Sequence, residues 1–555
     1  MKLQVLFPDG KREELIYDRA VTAQKIIRDH EEHCPHPVYF CRIGGVEKQL
    51  YDMIEEDAEV ELLDIVDPYA NMAYQSSLIL LYVKAVHDIL GKDVPVAVAN
   101  SLSKGLFTTI RKGNPSDEKI AEIEKRMHDL VMEDIPFVQK KMTREKAIRF
   151  FRDNGNSYLV RLLESAPDMT NAYLCSLDDE TDISYTIILP STGKIDLFQL
   201  RRYRNGILLR FPHRLYPDRV PPYQEQRLLY DAFSEETQWN KIMNVHYAAD
   251  LNAEIGDGEY KELVLVSEAL HEKKIAEIAG VIAKERKRII LIAGPSASGK
   301  TTFAKRLCIQ LRVRGLRPLY LGTDDYFLNR DEMIPDENGN KDFECLEAVN
   351  IGLFTEQMNQ LLDGKKVDIP EFDFITGKKV FGRRITSIEK SQPIVIEGIH
   401  GLNPRLTEGI NDDEKFKIYI SPLTQLNIDT HHRIPTTDAR MIRRIVRDHR
   451  TRGRDAVTTI TGWPSVRAGE EKYIFPFNEE ADVFFNSQCL YELSALKHYA
   501  EPLLEAIPPE SPAYPEAQRM LAFLQCFVEM TDDSIIPNQS IVREFIGGSV
   551  LMNEE

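Results

Sequence analysis

The chain has 555 residues, which at roughly 150 residues per domain sets a prior of three to four domains. Hydrophobic residues make up 43% and charged residues 28%, too apolar for a disordered chain. Asp plus Glu outnumber Lys plus Arg by 88 to 70, and the resulting charge of -18 argues against wholesale binding to nucleic acid or an anionic membrane. The seven cysteines are scattered and form no CxxC pair, a pattern of reduced thiols rather than a disulfide frame. The opening MKLQVLFPDGKREEL lacks the apolar core of a signal peptide, and no stretch of about 18 apolar residues follows. A cytoplasmic protein is expected.

In chain order, residues 2–7 alternate as a strand, Pro8-Asp9-Gly10 turns it, and residues 11–17 return as its hairpin partner. A helical spacing over residues 20–30 and a strand over 59–65 complete the order of a ubiquitin-like β-grasp domain, placed at residues 1–66. His33, Cys34 and His36 lack the second pair of ligands a closed zinc site needs, and they read as a polar loop. Residues 67–250 alternate helices (76–90, 117–133, 142–154) with strand-like runs (186–189, 206–210), an α+β pattern. The charged, helical stretch 251–287 reads as a linker. No fixed-period repeat is present, which excludes a solenoid.

The second half changes character. Short apolar runs at 289–293, 319–323, 394–397, 416–420 and 483–485 are separated by helices, the pattern of a buried parallel sheet in an α/β domain at 288–498. Residues 499–555 read as a helical extension ending in a loose tail. Directly after the first run comes Gly294-Pro295-Ser296-Ala297-Ser298-Gly299-Lys300-Thr301-Thr302, a match to GxxxxGK[ST]. Its glycines let successive N–H groups face phosphate oxygens at a helix N-terminus; Lys300 reaches the outer phosphates and Thr301 offers a hydroxyl to Mg²⁺. Asp324-Asp325-Tyr326 ends the second run, where a carboxylate can accept a proton from a substrate hydroxyl. Glu397 ends the third run, where P-loop folds serve the metal. No guanine-reading NKxD appears, which weighs against a GTPase. Seven arginines (Arg440, Arg443, Arg444, Arg447, Arg450, Arg452 and Arg454) fall within fifteen residues. With 440, 443, 444 and 447 on one helical face, they read as a lid over a triphosphate.

Together these residues resemble the uridine kinase family of P-loop nucleoside kinases over about residues 288–490. The resemblance rests on GPSASGKTT, TDDYF, Asp342-Phe343-Glu344, Pro370-Glu371-Phe372-Asp373-Phe374, VIEGIHGL and RRIVRDHRTRGRD. It implies that residues 294–302 with Arg447 and Arg452 bind ATP, that Asp324 is the general base on a sugar 5′-hydroxyl, and that Thr301 and Glu397 serve Mg²⁺. Glu344 falls where that family holds the ribose with an acid. Phe343, Phe372, Phe374, Arg444 and Arg454 would line the substrate side. Two positions depart from the family: Gly377 and Gly462 stand where pyrimidine kinases read the base with His and Gln, and Trp463 follows the second. Uridine and cytidine specificity is thereby put in doubt.

The first half resembles the N-terminal portion of threonyl-tRNA synthetases, with a TGS domain at 1–66 and an editing-type second additional domain at 67–250. The matching segments are Glu124-Lys125-Arg126-Met127-His128, Arg144-Glu145-Lys146-Ala147, Asn154-Gly155-Asn156-Ser157-Tyr158 and Pro190-Ser191-Thr192-Gly193. That family's editing ligands, an HxxxH pair and a later Cys and His, fall on Ser76, Leu80, Ser184 and Ile188. No editing chemistry is expected to survive. The whole reads as a P-loop kinase sheet flanked by helices, preceded by a β-grasp and an α+β editing-type domain. Its expected reaction is ATP- and Mg²⁺-dependent phosphorylation of a ribonucleoside, a small-molecule partner. A kinase of another small hydroxyl compound, or an RNA- or ribosome-associated nucleotide sensor, are the competing readings, and the sequence sets no oligomeric state.

Overall fold

Strict alternation in the strand Lys2–Leu6 turns Leu3 and Val5 inward, and the strand Arg12–Ile16 pairs antiparallel with it. The computed structural model, which describes residues 1–111, 113, 115–333, 344–373, 376–424 and 426–552, adds the strand Ala58–Asp64 parallel to the first. Val38–Ile43 and Val46–Gln49 complete a five-stranded β-grasp sheet. The helix Ala23–Asp29 is N-capped by the Thr22 hydroxyl, which accepts from the Lys25 N–H. His33 lies between Asp9, at 2.8 Å, and Lys11, at 2.7 Å, within the polar loop.

The helix Pro68–Leu90 begins eight residues earlier than the apolar pattern of 76–90 indicated. Asp67 caps it through the N–H groups of Tyr69 and Ala70, and Pro68 suits the first turn. Behind it stands an antiparallel sheet ordered Gln199–Tyr203, Gly206–Arg210, Gly105–Ile110, Val96–Leu102. A second sheet holds Val138–Thr143, Asn171–Leu177 and Glu180–Ile183. The helix expected at 142–154 therefore starts later, at Arg144–Asp153, because Met142 and Thr143 belong to this sheet. Residues 186–189 form no strand. Side chains take their backbone groups instead: the Leu189 N–H donates to Ser77 Oγ at 2.9 Å, and the Ile188 carbonyl accepts from Gln49 Nε2 at 3.1 Å.

A long helix, Tyr260–Glu285, leads to a five-stranded parallel sheet ordered Leu319–Gly322, Ile394–Glu397, Ile289–Ala293, Lys415–Ser421, Val483–Asn486. Its central strand is buried at every residue, as a sheet covered on both faces requires. The hairpin Val367–Asp373 with Lys378–Thr386 stands beside its Leu319–Gly322 edge. One hydrophobic core runs from Ala147 and Phe151 through Val264 and Ile278 to Ile442, Leu496 and Phe545. The tail read as loose is packed: Ile541, Val542 and Phe545 are fully buried.

The two halves also meet through the loop that joins the strand Lys415–Ser421 to the helix Thr436–Arg452. Val98 N–H donates to the Thr430 carbonyl at 2.9 Å, and Asn427 Nδ2 donates to the Val98 carbonyl at 3.0 Å. His431 lies 2.6 Å from Asp182, and His432 lies 2.9 Å from Asp429. Burial opposes charge on His432, but the Asp429 and Asp182 carboxylates outweigh it and raise its pKa to about 9. The raised value favours the folded state fully below the unfolded pKa of about 6.5, and that contribution is lost as pH climbs through 9. The melting temperature of the protein is expected to fall more steeply between these limits than that of His432→Gln. Parallel curves for the two proteins would remove the cluster from the stability of the fold.

Candidate active site

The phosphate loop is shaped by close packing. At Gly294 a Cβ would collide with the Ile420 carbonyl, and Gly299 opens the helix Lys300–Val313 at φ +82°. Buried arginines of the helix Thr436–Arg452 fix the loop's carbonyls. Arg440 donates to the Ser296 carbonyl at 2.9 Å, pairs with Glu470 and lies 5.3 Å from the Trp463 ring centroid. Arg443 donates to the Ala297 carbonyl at 3.2 Å and pairs with Glu492, and all of its surface is buried. Glu470 in turn accepts from the Ser296 N–H at 3.1 Å.

The chemistry-bearing side chains converge at the sheet's C-terminal edge. Thr301 Oγ1 donates to Glu397 Oε1 at 2.9 Å, and the Tyr320 hydroxyl reaches the same oxygen at 3.2 Å. A hydroxyl beside a carboxylate is an oxygen donor set that fits Mg²⁺. Lys300 Nζ is turned back onto the carbonyls of Gly294, at 2.9 Å, and Pro295, at 3.1 Å. The neighbouring aspartates divide. Asp325 is bound to Arg384 at 2.7 Å, which ties it to the hairpin Val367–Asp373 and Lys378–Thr386. Among the described residues Asp324 has no ion pair. It lies on the 3₁₀ turn Thr323–Tyr326, and its pKa is raised to about 7 by its surroundings of protein atoms and by repulsion from Glu397, against the pull of Lys300, with Glu344 and Asp325 adding to the rise. The residue is nonetheless exposed at the surface.

The arginine cluster is divided rather than presented on one face. Arg440 and Arg443 hold the loop from within. Arg447 and Arg452 fold back onto Asp448, at 2.8 and 3.4 Å, and Arg444 reaches Asp448 at 3.3 Å and the Ser296 hydroxyl at 2.7 Å. Arg450 faces the C-terminal segment, and Arg454 is exposed. Asp448, fully buried, is thus the shared counter-charge of Arg444, Arg447 and Arg452, two of them at the i,i+4 spacing of a helical ion pair.

On the substrate side Glu344 packs beside Gly469 of the helix Ala456–Tyr473. Phe372 is buried and meets the Phe327 ring edge-on at 5.7 Å. Phe343 and Phe374 lie outside the described residues. Gly377 holds φ +68°, and a Cβ there would stand 2.8 Å from Arg330 Cβ, so no larger residue fits without a shift. Trp463 is buried under Arg440 and offers no edge to a base. In the N-terminal half, Ser76 Oγ accepts from Thr186 Oγ1 at 3.2 Å, Ser184 Oγ donates to the Thr186 carbonyl, and Leu80 and Ile188 are core residues. Sequence reasoning missed Glu470 and Glu544, which act across the chain on the phosphate loop and its helix, and Asp448, whose three arginines lie within four residues of it.

The family model described as phosphoribulokinase / uridine kinase family matches residues 289–493. Over the N-terminal region the chain is similar to threonine–tRNA ligases: 29% identity over 208 residues with that of Thermotoga petrophila, covering 36% of this chain and 30% of that protein. The ligase of Methylococcus capsulatus is 29% identical over 202 residues, covering 36% and 31%. The chain thus spans about a third or less of the length of the curated relatives it matches. A solved structure of a possible uridine kinase from Bacillus stearothermophilus covers 36% of this chain and 88% of its own, at 20% identity and a TM-score of 0.24. The C-terminal region thus matches the phosphoribulokinase and uridine kinase family model over residues 289–493, and the N-terminal region is similar to threonine–tRNA ligases.

Proposed function

We propose that this P-loop kinase transfers the γ-phosphate of ATP to the 5′-hydroxyl of a ribonucleoside. The observation that carries the reading is the division of labour between adjacent aspartates. Asp325 is engaged by Arg384, while Asp324 is held with a pKa of about 7 beside Lys300 and the Thr301–Glu397 pair. Such a carboxylate takes the hydroxyl proton as the new oxygen–phosphorus bond forms and the β–γ bridging bond breaks. Lys300 leaves the carbonyls of Gly294 and Pro295 to meet the phosphates, and Arg444, Arg447 and Arg452 turn from Asp448 to the transferring group. Thr301 and Glu397 would hold magnesium, which would supply neutralising charge. Glu344 would hold the ribose hydroxyls.

Phosphorylation of another small hydroxyl compound is a second reading, favoured by the missing base readers at Gly377 and Gly462 and by the burial of Trp463. The N-terminal region, with Ser76, Leu80, Ser184 and Ile188 in place of editing ligands, serves as a packing or regulatory platform rather than a hydrolase.

Turnover of Lys300→Ala should fall by about a hundredfold or more while the fold melts normally, because its charge matters most as the phosphoryl group moves. Near-normal ADP release would take the loop out of the mechanism. With Asp324 as base, kcat/KM should rise with pH and level off above about 7, and Asp324→Asn should abolish the rise along with turnover while ATP still binds. A larger loss from Asp325→Asn than from Asp324→Asn would reverse the assignment. Among substrates, ribonucleosides should exceed deoxyuridine in kcat/KM, with uridine and cytidine holding no large advantage over purine nucleosides. A preference for uridine of about a thousandfold would show a buried polar reader of the base.

A further inference from the structure

The helix behind the phosphate loop already carries an anion. Glu544 accepts from the Thr302 N–H at 3.3 Å and from the Thr302 hydroxyl at 2.7 Å. Both are donors of the first turn, where a P-loop meets phosphate oxygens. Glu544 belongs to the short helix Arg543–Ile546, which is brought to this point by contacts on every side. Ile541 presses on the loop so closely that a Cβ on Gly299 would stand 2.5 Å from its Cγ2. Phe545 lies under the Arg443 guanidinium at 4.8 Å from ring centroid to Cζ. Arg450, one turn beyond Arg447 on the lid helix, donates to the carbonyls of Glu544 and Phe545, both at 3.2 Å. Lys305, on the phosphate-loop helix itself, donates to the Leu551 carbonyl.

One anion at a time fits these donors. A phosphate reaching the Thr302 N–H and hydroxyl must displace the Glu544 carboxylate, or stand against its charge at contact distance. We infer that the C-terminal segment, residues 536–552, is a built-in competitor of the nucleotide: it closes the phosphate site in the resting protein and leaves when ATP binds. This deepens the reading of the loop as an ATP site and rests on it. The segment contacts both the phosphate-loop helix, through Thr302 and Lys305, and the lid helix, through Arg443 and Arg450. Its release therefore frees Arg450 of the lid helix at the same time as the Thr302 donors. Apparent nucleotide affinity is reduced by the fraction of molecules in which the segment is off the site.

Isothermal titration of Mg-ADP into the full chain tests the competition. Glu544→Ala should bind about tenfold more tightly than the natural protein, in the range expected for loss of a charge-assisted pair of hydrogen bonds. Arg450→Ala, which loosens the same segment from the lid side, should shift affinity in the same direction, so the test does not depend on one variant folding. Amides of residues 536–552 in the natural protein should exchange faster when Mg-ADP is bound. Unchanged or weaker binding in both variants, or slower exchange of the segment with nucleotide, would overturn the competition while leaving the kinase reading intact. Binding that is absent from every variant would overturn both. Loss of binding in Lys300→Ala alongside tighter binding in Glu544→Ala is the pattern that supports the two together.

Discussion

The site depends on two buried arginines that hold the phosphate loop from behind. Arg440 and Arg443 take the carbonyls of Ser296 and Ala297, while Glu470 takes the Ser296 N–H. A loop of this kind must point its N–H groups at a ligand, which forces its carbonyls the other way, into the protein. There they need donors, and guanidinium groups locked by Glu470 and Glu492 supply them in fixed geometry. Such pairs are poor sources of net stability, since both charges are desolvated, but removing one partner strands the other at a cost of about 3–5 kcal/mol. The loop, the lid helix and the helix Glu492–Glu505 are therefore a single mechanical unit.

That unit explains why the arginine-rich stretch has two functions at one spacing. Residues 440 and 443 face the loop and are spent on structure. Residues 444, 447 and 452 stay near the surface around Asp448, a buried carboxylate that only partly offsets their mutual repulsion: burial first, and then Arg447, still push the Arg452 pKa down to about 10. Three guanidinium groups against one carboxylate leave the cluster with an excess of positive charge.

Much of this was legible in the sequence where the information is local. The five short apolar runs became the parallel sheet because a strand buried on both faces has no need of alternation, and the phosphate loop is encoded by nine adjacent residues. The β-grasp hairpin was visible for the same reason, in the alternation of Leu3 and Val5 around a Pro-Asp-Gly turn. What escaped is non-local. Asp324 and Asp325 are indistinguishable in sequence, and only Arg384, 59 residues away from Asp325, separates them. The tail looked loose because its apolar residues are broken up by Pro537, Gly547 and Gly548, and its partner Thr302 lies 242 residues from Glu544. Residues 186–189 looked like a strand because a run of apolar residues says what is buried and not what satisfies its backbone.

The N-terminal region, similar to threonine–tRNA ligases, bears directly on the P-loop region. The loop that meets it, carrying Asp429, His431 and His432, runs straight into the lid helix Thr436–Arg452. At the start of that helix Asp438 is clamped by Arg519 at 2.7 Å; Arg519 is shared with Glu516, and Glu516 accepts from the hydroxyl of Tyr69 at 2.6 Å. Tyr69 stands on the first turn of the helix Pro68–Leu90, against the Arg42 guanidinium of the β-grasp sheet. Two routes of paired charges thus converge on the base of the lid, one from each part of the synthetase-like region. The helix Thr436–Arg452 is thereby anchored at its first turn through Asp438, while its other end, bearing Arg447, Arg450 and Arg452, is the end that the C-terminal segment holds through Arg450.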